Sequence, residues 1–278
     1  MIVVALALGS SIAWGTSDFL AGTHTRRMGV LGVLVLSQAA SSAIVLVLTV
    51  ATVTSPPATE HLLFAALAGL TDGLMLFCLY RAMAVGNLSL VAPLAGCGAI
   101  VPLAATLVDG GSLTGLQLAG VAVALCGTVI AARETAPGPA ATALIAGAGL
   151  ALAASLFDGV SILAIDAAVD GGTTWAVLVD RLVVLALFAG AAAQGGAALR
   201  ATGRDTRAVV AIGVLDAIAQ LLFAHALIRG QIGVVAALGT LYPVTTVLLA
   251  GTLLRERPDP IQRVGVGACL AGVLMLSA

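Results

Sequence analysis

The chain has 278 residues, 60% of them hydrophobic and only 9% charged, with a formal net charge of −1. A soluble domain carries about a quarter charged residues, so this composition excludes one and indicates a chain embedded in a bilayer. All 12 basic residues are arginine; without a lysine there is no retinal or pyridoxal Schiff base and no Walker lysine, so the chain is not its own ATPase.

Apolar runs of about 20 residues, long enough to span a bilayer, are predicted near 2–22, 30–53, 62–81, 87–108, 114–132, 141–166, 174–194, 207–228, 232–254 and 260–277. The predicted fold is therefore all-α and integral to the membrane, with ten transmembrane helices. Turn residues mark the breaks, among them Ser55-Pro56-Pro57, Asp109-Gly110-Gly111, Pro137-Gly138-Pro139 and Pro258-Asp259-Pro260. The connections are too short for an extramembrane domain, which puts the function inside the bundle.

In helix 1 no basic residue precedes the apolar run and Arg26-Arg27 follow it, so it reads as a span rather than a cleaved signal. Trp14 and Asp18 are one turn apart on one face. Either the indole and carboxylate cradle a cationic or amphipathic ligand, or Trp14 anchors at the interface and Asp18 caps a helix end. In helix 3, Asp72 sits mid-span between Gly69 and Gly73, a small-xxx-small pair that favours close helix approach. Helix 6 carries Asp158 centrally, beside Gly159 and Ser161. Adjacent residues on a helix do not face each other, so Arg181 in helix 7 is expected to seek Asp166, Asp170 or another helix rather than Asp180, or to snorkel. In helix 8, Asp216 and Gln220 form a polar stripe. His225 near its end matches Arg81 of helix 3, as a gate or as solvated helix ends. Tyr242-Pro243 in helix 9 either places a hydroxyl beside proline-relaxed backbone in a cavity or only kinks the helix. Cys78, Cys97, Cys126 and Cys269 are spread singly, as packing residues.

An internal repeat is legible. Residues 79–93 lie over 223–237; Gln117 and Gly120 then match Gln262 and Gly265, and Gly127 matches Gly272. Asp72 and Asp216 are 144 residues apart, Asp18 and Asp158 140 apart. A carboxylate at mid-bilayer costs roughly 2.5–3.5 kcal/mol on insertion scales, so such residues face a cavity or a partner. The two copies are placed at 1–133 and 140–278. Five spans per copy reverse the direction of entry, so the repeats are inverted, the arrangement by which many carriers alternate access to one midplane site. Arginines gather after odd-numbered helices, which by the positive-inside rule puts those connections in the cytoplasm and both termini outside.

Ala13-Trp14-Gly15-Thr16-Ser17, then Gly239-Thr-Leu-Tyr-Pro243 leading to Leu253-Leu-Arg-Glu256-Arg257, then Gln262, Gly265 and Gly272 carry a likeness over essentially the whole chain. In this order the chain resembles the EamA-type drug/metabolite transporters. The resemblance implies secondary transport of a small organic metabolite, usually export. The first copy departs from the pattern with Asp109-Gly110-Gly111 where the second has Arg255-Glu256. Acidic residues on helices 1, 3, 6 and 8 are not a general feature of the family.

The expected function is that of a proton-coupled exporter working by alternating access, with metabolite uptake, facilitated diffusion or a non-transporting membrane partner as alternatives. Trp14, Asp18, Asp72, Asp158, Asp216, Gln220 and Tyr242 are the candidate substrate-binding or proton-coupling residues. No HExxH, GxSxG or histidine–carboxylate cluster supports an enzyme. Neither cofactor nor metal is expected, nor a nucleic-acid partner; the partners are a small-molecule substrate, protons and lipid. A multi-pass monomer of the cell membrane is anticipated.

Overall fold

The computed structural model describes residues 1–52, 55–86, 88–108, 114–131, 139–195, 203–255 and 259–276. The turn residues Asp109-Gly110-Gly111 and Pro137-Gly138, and Glu256-Arg257 of the resemblance, lie outside them. The described chain is helical: α1 (Ile2–Met28), α2 (Val30–Ala51), α3 (Thr59–Val85), α4 (Leu88–Ala95), α5 (Ile100–Val108), α6 (Gly115–Ala131), α7 (Pro139–Val169), α8 (Thr173–Gly195), α9 (Gly203–Leu227), α10 (Ile232–Gly239), α11 (Tyr242–Leu249) and α12 (Pro260–Leu276). Among the described residues there is no strand, and seven stretches are long and apolar enough to cross a membrane: α1, α2, α3, 145–169, α8, 205–227 and 232–254. The predicted spans at 87–108, 114–132 and 260–277 are helical over shorter stretches.

Polarity is arranged inside out relative to a soluble protein. On α3, Leu63, Leu67, Leu70, Leu74 and Phe77 form an exposed stripe at helical spacing, with Leu63 67% exposed. Ser10, Ser17, Asp18, Gln38, Ser41, Asp72, Asp180, Arg181 and Asp216 are buried instead. A contiguous apolar exterior of this kind is stable only against lipid.

Two predicted spans are broken rather than continuous. The stretch 88–108 is interrupted by a 3₁₀ turn at Gly96–Ala99, and 232–254 by the bend at Thr240-Leu241 before α11 and a π-helical turn at Ala250–Leu254. The cause is local. Pro243 lacks an N–H and sits in the first turn of α11, while Gly96 lets the opposing segment approach and Gly98 lies against Asp158 of α7. A Cβ on Gly96 would meet the Pro243 ring and, at 3.2 Å, the Thr240 carbonyl.

The helices pack across the two halves in reciprocal fashion. α1 packs on α9 and α7 on α3; α2 packs on α9 and α8 on α3; α1 meets α10 and α11, and α7 meets α4 and α5. Within these interfaces glycines set the closest approach. A Cβ on Gly15 would strike the Tyr242 carbonyl and Thr245, and one on Gly159 the Gly98 carbonyl and Val101. Gly69 lies against the Asp180 backbone of α8, and Gly213 against the Ser37 backbone of α2. Each pair is separated by 144 residues, the interval between Asp72 and Asp216. By that register Asp158 corresponds to Trp14 and Asp18 to Ile162. The 140-residue interval between the two aspartates thus does not join equivalent positions.

Candidate functional site: a carboxylate-lined cavity over a buried arginine

The ionic centre is built on α8. Arg181 lies eight residues into that helix, about 12 Å from its start, and is 1% exposed. At that depth a guanidinium cannot reach water, so it gathers carboxylates from the surrounding helices. Its Nε donates to Asp180 Oδ2 at 2.7 Å, Nη1 donates to Asp216 Oδ2 at 2.7 Å, and Nη2 donates to Asp72. Nη1 also faces Gln38 Oε1 at 3.4 Å. From α2, Ser41 donates to Asp216 at 3.0 Å and Gln38 at 3.3 Å; from α9, Gln220 donates to Asp180 at 3.4 Å. The cluster therefore ties α2, α3, α8 and α9 together.

Of the alternatives expected for Arg181, the one that holds is a partner on another helix, Asp72 of α3 and Asp216 of α9. It pairs with neither Asp166 nor Asp170, and, against expectation, it does pair with the adjacent Asp180. The facing rule for neighbours holds for Cβ directions, but a guanidinium on a long stem folds back far enough to reach the preceding carboxylate. Gln38, Ser41, Asp180 and Arg181 are thus site residues that sequence reasoning did not single out. The available signal was an arginine too deep inside an apolar run to snorkel.

Beside the cluster lies a narrow cavity that leaves about 40 Å3 for the centres of water-sized molecules. Trp14, Asp18, Asp72, Asp158, Asp216, Gln220 and Tyr242 all line it, with Leu79, Ser161, Ile162, Ile165 and Phe223. Its walls come from α1, α3, α7, α9, α10 and α11, so both halves contribute. The Trp14 and Phe223 rings form a tilted pair, centroids 5.2 Å apart at 55°. Arg81 and His225 do not line the cavity; His225 contacts the Leu221 carbonyl at 2.7 Å and the Thr173 hydroxyl at 3.4 Å.

The cavity acids fall into two kinds. Asp72 and Asp216 share the single guanidinium of Arg181 with Asp180. Asp18, 6% exposed, has no hydrogen-bond or ionic partner among the described residues, and Asp158 has a buried Oδ2 without one. Asp18 also lies well inside α1, which continues to Met28; it caps no helix end. The helix is longer than the predicted 2–22 because its last turns stay packed, with Thr25 buried and Arg26 donating to the carbonyl of Gly86 at 2.6 Å.

An apolar exterior, membrane-length helices and a buried ionic centre define a multi-pass membrane protein. Residues 145–278 match the EamA-like transporter family. A solved crystal structure of a protein is similar to this chain with a TM-score of 0.73 at 18% identity, covering 99% of this chain and 97% of that one; this likeness concerns the fold. No curated protein matches the chain.

Proposed function

We propose that the protein is a proton-coupled secondary transporter of a small organic solute, working as an exporter by alternating access. The observation that carries the reading is the cavity shared by the two halves, with carboxylates from α1, α3, α7 and α9 on its walls. It gains weight from the match of residues 145–278 to the EamA-like transporter family.

The architecture of the reading is ten spans in two inverted repeats, 1–133 and 140–278. The common 144-residue interval of Gly15/Gly159, Gly69/Gly213 and Asp72/Asp216, and the reciprocal helix pairings, support it. The two broken helices face each other through Gly96 and Pro243, as discontinuous helices do at a midplane site. Rocking one repeat against the other exposes the cavity to each side in turn. In this reading the arginine-rich connections are cytoplasmic and a single copy in the cell membrane suffices.

Charge balance supports proton coupling. Arg181 supplies one positive charge against Asp72, Asp180 and Asp216. With all three ionised, the cluster holds two uncompensated negative charges in a low-dielectric interior, which protons neutralise at least cost. A proton taken by Asp72 or Asp216 frees part of the guanidinium for the other carboxylate, and so links protonation to the packing of α3 and α9 on α8.

The test is proton flux in proteoliposomes, read with a pH-sensitive dye while amino acids, amines and nucleosides are added. Substrate-dependent flux is expected, falling to the level of empty liposomes in Asp72→Asn and Asp216→Asn. Flux with unaltered pH dependence in both variants would remove the proton-coupling role from this pair. Solute movement with no proton flux would leave a facilitator.

A further inference from the structure

The charge arrangement of the cavity narrows the substrate class, on the basis of the transporter reading above. Arg181 is committed to Asp72, Asp180 and Asp216 and does not line the cavity. No arginine or histidine lines it at all among the described residues. The groups left to meet a ligand's charge are Asp18, nine-tenths buried and in no ion pair among the described residues, and Asp158, whose buried Oδ2 packs against Gly98 and has no donor there. A buried acceptor without a donor is a standing penalty that a donor-bearing ligand removes. An anionic ligand would meet carboxylates from α1 and α7 and find no cation to pair with.

The remaining lining is apolar and aromatic, including the tilted Trp14–Phe223 pair, Ile162 and Ile165. These rings suit the body of a ligand and, through their faces, a positive charge. We propose that the cavity binds an organic monocation with an aromatic or apolar body, its ammonium held by Asp18 and Asp158 and its body along Trp14, Phe223 and Ile162. Trp14 and Asp18, one turn apart on α1, then act as a unit: one holds the body, the other the head.

The test uses three probes that share a phenylethyl body and differ in the charge of the head: 2-phenylethylammonium, 2-phenylethanol and 3-phenylpropionate. Binding to the purified full-length protein in nanodiscs is followed by Trp14 fluorescence in a Trp175→Phe background, which leaves one indole. The ammonium is expected to saturate the signal at least about tenfold more tightly than the alcohol, the scale of one charge-assisted hydrogen bond, and the carboxylate more weakly still. Asp18→Asn and Asp158→Asn should each weaken the ammonium at least about tenfold and affect the uncharged alcohol much less. Asp18→Glu, which keeps the charge, should retain binding and so separates loss of the site from loss of the fold.

Equal binding of carboxylate and ammonium, an ammonium affinity indifferent to both asparagine variants, or no saturation by any probe would overturn the proposal. The two readings fail separately. Aspartate-dependent ammonium binding without movement across a liposome sinks the transporter reading alone. Uncharged or anionic solutes moving with dependence on Asp72 sink the cation inference alone.

Discussion

Arg181→Gln is expected to be the most damaging single substitution in the protein. It removes the one cation from among Asp72, Asp180 and Asp216, leaving three buried carboxylates without their strongest donor. Breaking a buried ion pair by deleting one partner typically costs about 3–5 kcal/mol, and here one deletion breaks three pairs. The loss falls at a junction of four helices, because α2 reaches the same cluster through Ser41 and Gln38. Thermal unfolding in detergent, with size-exclusion chromatography as a check on folding, should show a large fall in midpoint or no folded protein.

Two further variants identify the cause. Arg181→Lys keeps the charge, but an ammonium has no planar fork with which to reach three carboxylates at once; it should recover only part of the loss. Combining Arg181→Gln with Asp72→Asn and Asp216→Asn removes charges of both signs, and should restore more stability than either set of changes leaves alone. A triple variant no better than Arg181→Gln would show that the guanidinium acts through packing instead of charge.

Gly69→Leu and Gly213→Leu should come next in effect. Each glycine lies one turn before a cluster aspartate, in Gly69-Leu-Thr-Asp72 and Gly213-Val-Leu-Asp216. A Cβ on Gly69 would meet the Val183 Cβ at 2.8 Å and the Asp180 Cα at 3.0 Å; one on Gly213 would meet the Ala40 Cβ at 2.8 Å and the Ser41 backbone nitrogen at 3.1 Å. Neither a backbone atom nor a Cβ can rotate away, so the helices must separate. Overpacking usually costs about 1–3 kcal/mol, and these sites should exceed that range. Separation also draws Asp72 away from Arg181, or Asp216 away from Ser41, so transport should fail before the protein unfolds. Leucine at Gly149 or Gly190, where a Cβ meets open space, is the control and should leave both stability and transport near wild type. If all four behave alike, helix propensity rather than close approach governs these positions.

Much of the molecule was legible from residue type and spacing. Length and apolarity of the runs determined that this is a helical membrane chain, since a backbone in lipid must satisfy its own hydrogen bonds. The cost of a charge in lipid pointed to Asp18, Asp72, Asp158 and Asp216, and a one-turn spacing added Trp14 and Gln220. All of these line one cavity, because carboxylates in an apolar bundle have few other places to face. Gly69 was marked as a site of close approach, but its counterpart Gly213 was not, as only the packed structure shows which glycines meet another backbone.

The roles of the charges were decided by tertiary structure alone. Spacing along the chain offered Arg181 Asp166, Asp170 or another helix, and only the fold brought Asp72 from α3 and Asp216 from α9 to the same guanidinium. That convergence also separates the acids bound to Arg181 from Asp18 and Asp158. The breaks at Gly96–Ala99 and Thr240-Leu241 are the opposite case, permitted locally by glycine and proline. Sequence determined which groups are too polar for lipid; the packing of α1, α3, α7, α8 and α9 decided which of them neutralise one another and which remain for a ligand, because pairing depends on distances between helices that spacing along one helix does not contain.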